Sequence, residues 1–145
     1  MTITEKEKEG AAVGISVAAG GKPCTDHHLE AAHNEGASDT EIKFVIETAI
    51  TIQSSATDIM QAYALAHLDE REPDVELIPA RDSGRIKVLV SLGASFAVNC
   101  VSNLGEHINA AEQSGLSQCE IMQILQLAMF IKCKVKSQLE HLVAR

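Results

Sequence analysis

Two long stretches set the pattern of the chain. In "FVIETAITIQSSATDIMQAYALAHL", residues 44–68, and in "IMQILQLAMFIKCKVKSQLEHLV", residues 121–143, apolar side chains recur at spacings of three and four, with no sustained two-residue alternation. That period belongs to amphipathic helices, and it predicts an all-α protein. The punctuation agrees. Ser38 stands three residues before Glu41, and Ser117 three before Glu120, each a capping box that satisfies orphan amides at a helix start. The longest helices are therefore expected to begin near Asp39 and Gln118. Gly36 and Gly115 precede the two boxes and suit the closing of a helix before each. The segment "DEREPDVELIPARDSG", residues 69–84, holds two of the three prolines and reads as an acidic connector.

The two sides of that connector repeat each other. With His28 set on His107, an offset of 79, Gly14 falls on Gly93, Ser16 on Ser95 and Ala31-Ala32 on Ala110-Ala111 without a gap. Gly36, Ser38, Glu41, Ile42 and Ala49 then meet Gly115, Ser117, Glu120, Ile121 and Ala128. A single domain built from two repeats, about 9–68 and 85–145, is expected to pack on itself about a pseudo-twofold axis. Each repeat should contain a helix of about a dozen residues, a shorter one carrying the histidine, and a long capped one.

Composition narrows the function classes. At 145 residues and 46% hydrophobic the chain can bury a substantial core. A net charge of −8 without a basic cluster disfavours nucleic acid and anionic membranes as partners. The start "MTITEKEKEG" has no apolar leader pattern, and "VLVSLGASFAV" is too short to span a bilayer, so a cytoplasmic location is expected. In that compartment the four cysteines (Cys24, Cys100, Cys119, Cys133) point to free or reactive thiols or metal ligands before structural disulfides.

The chemistry concentrates in "GGKPCTDHHLEAAHNEG", residues 20–36. Pro23 suits a first helical position, which puts Cys24 in the first turn and His28 one turn later on the same face. A helix N-terminus and a neighbouring base favour the thiolate. Cys24, His27, His28 and His33 also raise zinc, but His27 and His28 point about 100° apart and His33 lies on another face, so one helix cannot close a tetrahedron. No metal and no other cofactor is expected. The blander reading of a cysteine near an apolar helix is a small buried hydrophobe. For Cys100 that reading leads, and His107 then serves as a satisfied polar residue in a helical interface. Cys133, among the lysines of "IKCKVK", is read as part of a solvated helix face.

"EGAAVGISVAAGGKPCTDHHLEAAHNEGASDTEI" and "VLVSLGASFAVNCVSNLGEHINAAEQSGLSQCEI" together resemble the core of the carboxymuconolactone decarboxylase and AhpD-like alkylhydroperoxidase family. The resemblance covers nearly the whole chain. It implies an all-α fold assembled as a trimer or hexamer, an assembly also suggested by more apolar residues than a thin bundle can bury. The family's redox members carry a glutamate, then C-x-x-C-x-x-x-H, then a G-x-S-x-x-E turn. Glu9, Cys24 and His28 fall on the glutamate, the second cysteine and the histidine, whereas Gly21 holds the first cysteine position. In the second repeat Cys100 and His107 match the first cysteine and the histidine, with Asn103 and Val88 replacing the second cysteine and the glutamate. Glu9, Cys24 and His28 are thus the candidate catalytic residues, and Cys100 with His107 a possible second half-site.

Three functions follow as expectations. One is a thiol-dependent peroxidase or disulfide reductase in which Cys24 attacks, His28 is the base and Glu9 orients it, with an external thiol or Cys100 as resolver. The second is a lyase like the decarboxylase branch, working on a small acid with His28, His107, Glu9 and Glu106; no basic residue obviously clamps the substrate carboxylate. The third is a non-catalytic oligomeric scaffold or ligand-binding module.

Overall fold

The computed structural model describes residues 2–75 and 84–144, so residues 76–83 of the expected connector lie outside the described part. All regular structure among the described residues is helical. The elements are α1 (Glu5–Ala19), α2 (Lys22–Asn34), α3 (Asp39–Leu68), α4 (Arg85–Ala97), α5 (Val101–Gln113) and α6 (Gln118–Val143). The two long helices start where the capping boxes predict. Ser38 Oγ accepts from the Glu41 amide and Ser117 Oγ from the Glu120 amide, and each glutamate reaches back to its serine's backbone. Thr4 and Glu7 form a third box on α1.

α1 and α4 are the centre of the molecule. Residues 10–16 of α1 and 88–95 of α4 are buried without interruption, as expected of helices surrounded by others. α1 packs on α2, α3, α4 and α6, while α4 packs on α1, α3, α5 and α6. The two central helices cross at small residues. A Cβ on Gly14 would stand 2.7 Å from Val90 Cγ1 and 3.3 Å from the Val45 carbonyl oxygen, and one on Gly93 would stand 2.5 Å from Ile15 Cγ1. Hydrogen atoms at these positions let the helix axes approach until Ile15, Leu89, Leu92 and Ile124 close the core, each fully buried.

Residues 79 apart share backbone conformations as well as identities. Gly21 (φ −92°, ψ 99°) and Cys100 (φ −91°, ψ 95°) are the N-caps of α2 and α5. Gly36 and Gly115 both take positive φ, 90° and 86°, where the chain leaves those helices. The ion pairs recur too: Lys6 binds Glu41 across 3.1 Å, and Arg85 binds Glu120. Arg85 also reaches Glu7. Hydrogen bonds from the Ser117 backbone, and then Arg85, hold the Glu120 carboxyl at about 2.

No helix of the described residues is long and apolar enough to cross a membrane.

Candidate active site

The turn between α1 and α2 brings the first candidate pair together. Gly20 ends α1 in the left-handed region at φ 77°, the Gly21 amide returns to the Ser16 carbonyl, and α2 doubles back along α1. α2 begins at Lys22, so Pro23 is its second residue and not its first. Nothing is lost by this, because the first four amides of a helix have no intrahelical acceptor. Cys24 remains in the first turn.

His28 Nδ1 lies 2.7 Å from Glu9 Oε2, and both side chains are nearly enclosed, 11% and 13% exposed. With Glu9 ionised, Nδ1–H donates to the carboxylate, which fixes the tautomer and leaves the Nε2 lone pair as the base. The neighbouring His27 ring meets His28 edge-on, 4.9 Å between centroids, and helps hold its plane.

Cys24 is 7% exposed, within the main apolar cluster. α6 covers it: Gln138 Nε2 donates to Cys24 Sγ at 3.8 Å. Sequence reasoning did not identify Gln138. It sits 114 positions away in a helix whose apolar period was plain, but whose contact with α2 depends on how α6 packs. The four cysteines are all free thiols, with Cys24 and Cys100 buried and Cys119 and Cys133 exposed.

The second half-site is assembled differently. Cys100 caps α5 and is 8% exposed, while Asn103 is fully buried and donates through Nδ2 to Ser55 Oγ at 3.0 Å. Val88, 79 positions after Glu9, is buried at 6% exposure. His107 consequently has no carboxylate at that position, and its Nε2, like Asn103 Oδ1, has no hydrogen-bond partner among the described residues. His107 thus departs at Nε2 from the satisfied polar residue expected. Burial pushes the His107 imidazole below the ordinary 6.5; Glu106 pulls it up and Lys87 pushes it down, both more weakly.

That shift fixes a sign. Since folding lowers the affinity of His107 for a proton, the unfolded chain binds more protons as the pH falls through about 6.5, and stability drops there. His107→Gln should flatten this step in denaturant midpoints measured between about pH 7 and 5. An unchanged profile would show that His107 does not contribute.

Among the described residues no group of three or more His, Cys, Asp and Glu side chains is placed to hold a metal ion. The arrangement at α1 and α2 is instead suited to moving a proton beside a thiol.

No curated protein matches the chain. Residues 2–68 match the model of the carboxymuconolactone decarboxylase family, a stretch that contains Glu9, Cys24 and His28 and ends with α3. The match supports placing the half of the chain that holds the Glu9–His28 pair in the carboxymuconolactone decarboxylase family.

Proposed function

We propose that this protein is a thiol-dependent peroxidase of the AhpD-like kind, acting through Cys24, His28 and Glu9 of the first repeat. The 2.7 Å contact between His28 and Glu9 carries the reading, since it puts an oriented, enclosed base one helical turn from a thiol. In the reaction His28 Nε2 takes the Cys24 proton. The thiolate attacks the near oxygen of a hydroperoxide, the O–O bond breaks, and the departing alkoxide receives the proton back from His28. Cys24 is left as a sulfenic acid and the peroxide as an alcohol. The sulfur lies in the first turn of α2 and accepts from the Gln138 amide on α6.

The second repeat is, in this reading, a diverged copy that keeps the scaffold without the acid–base pair. Equal offsets of 79 in caps, glycines and ion pairs support the duplication. Assembly into a trimer or hexamer is part of the proposal as well. Met60, Tyr63 and Leu68 on α3, with Leu139, Leu142 and Val143 on α6, are all more than half exposed on the distal parts of the long helices.

A lyase reading has one observation in its favour. The Glu9–His28 pair is complete without Cys24, and position 21, which holds the first cysteine of the family's redox motif, is glycine. Cys24→Ser separates the two. Peroxide consumption with dithiothreitol as reductant should be lost in Cys24→Ser and kept in Cys100→Ser. Turnover that survives Cys24→Ser would reject the thiol mechanism.

A further inference from the structure

The site has one thiol where a redox pair would need two, and α6 fills the place of the second. A Cβ built on Gly21 would lie 3.5 Å from Cys24 Cβ and 3.7 Å from Cys24 Sγ. That separation is at the short end of the roughly 3.5–4.5 Å found between the Cβ atoms of a disulfide. The backbone at residues 21–24 thus already has the spacing of a bridged pair. What blocks it is Val135 Cγ2, 2.5 Å from the same Cβ. Val135 is β-branched and within α6, so its χ1 is nearly fixed and the methyl cannot swing aside cheaply.

The other half of the chain exchanges these volumes. There the helix N-cap is Cys100, and the residue 79 before Val135 is Ala56, which is buried on α3. Position 100 thus carries a cysteine where position 21 has glycine, and position 56 an alanine where position 135 has valine. Val135 is on the same helix as Gln138, which holds the Cys24 sulfur from one turn further along.

We propose that Gly21 and Val135 together make Cys24 a single-thiol site, the glycine supplying no second sulfur and the valine filling its place, so that the oxidised form is resolved by a low-molecular-weight thiol from solution and not by a partner cysteine within the chain. This rests on the reading of Cys24 as the reacting thiol. The steps balance with the thiol as the only reductant. Cys24–SOH and one RSH give the mixed disulfide Cys24–S–S–R and water. A second RSH attacks the R-side sulfur, releasing Cys24–SH and RSSR.

The test uses diamide, which takes two hydrogens from a pair of thiols and requires no peroxide turnover. Gly21→Cys and the double variant Gly21→Cys/Val135→Ala are oxidised, then free thiols are counted and cross-linked peptides mapped. The double variant should form a bridge between the introduced sulfur and Cys24, whereas the single variant should keep both of these thiols free. Equal bridging in both would overturn the proposal. Should Gly21→Cys fail to fold, the native chain decides: treated with peroxide and then with 2-mercaptoethanol it should carry the mixed disulfide on Cys24, and an oxidised Cys24 that forms no such adduct overturns the proposal. A Cys24–Cys100 bridge in the peroxide-treated native protein would also do so. Inert Cys24 toward peroxide alongside the expected diamide result would reject the peroxidase reading while leaving the role of Val135 standing.

Discussion

His28→Gln is expected to lower thiol-dependent peroxide turnover by about 10²- to 10⁴-fold, the range that a positioned general base contributes. Glutamine keeps a polar group beside Glu9 but cannot take the thiol proton at neutral pH. Glu9→Gln should act in the same direction through the histidine. It replaces an acceptor-only carboxylate, 2.7 Å from Nδ1, with an amide that can also donate there, and so allows the ring to present the wrong tautomer at Nε2. Glu9 is in this sense a positioning residue, and its loss should change the pH profile of turnover as well as its rate. A structural role alone would alter stability without moving the profile. Parallel measurements of kcat against pH and of the urea midpoint distinguish the two, and a Glu9→Gln enzyme with full activity would remove the dyad from the mechanism.

The second large effect concerns the crossing of α1 and α4. Gly14→Leu should destabilise the protein by about 3 kcal/mol, because the new side chain meets a methyl of the fully buried Val90 and the Val45 backbone carbonyl at once. A carbonyl fixed in a helix cannot give way as a flexible side chain can. Roughly 10 °C should be lost from the melting temperature of a domain this size. Gly93→Ala adds a single carbon, against Ile15 Cγ1 2.5 Å away, and should cost less than the four carbons of leucine at position 14. Thermal unfolding followed by circular dichroism checks both, and the order of the two variants tests the reason as well as the size.

The fold was legible because its signals are local. Ser38 with Glu41 and Ser117 with Glu120 marked the starts of α3 and α6 to the residue, since a capping box fixes backbone and side chain together. Pro23 misled by one position, because proline is tolerated anywhere in the first turn. Glu9 and His28 were named from the sequence through the family pattern, but their contact required α2 to fold back on α1, which the Gly20–Gly21 turn accomplishes. Val135 and Gln138 were not legible. Both belong to an amphipathic stripe whose period shows that a face is buried, but not which residues it meets 114 positions away. Position 103 shows a different limit. Read as a lost cysteine, it is a fully buried asparagine hydrogen-bonded to Ser55, a structural contact that no spacing rule announces.

In the function proposed, Cys24 is a reactive thiol served by His28 and Glu9. Mass spectrometry of each cysteine after brief exposure to substoichiometric hydroperoxide at pH 7 tests it most directly, because the chain carries its own controls. Cys119 and Cys133 are exposed, whereas Cys24 is only 7% exposed. Cys24 should be oxidised first despite its burial, and Glu9→Gln should remove this advantage. Oxidation that follows exposure, with Cys119 and Cys133 ahead and Cys24 untouched in both proteins, would contradict the proposed function.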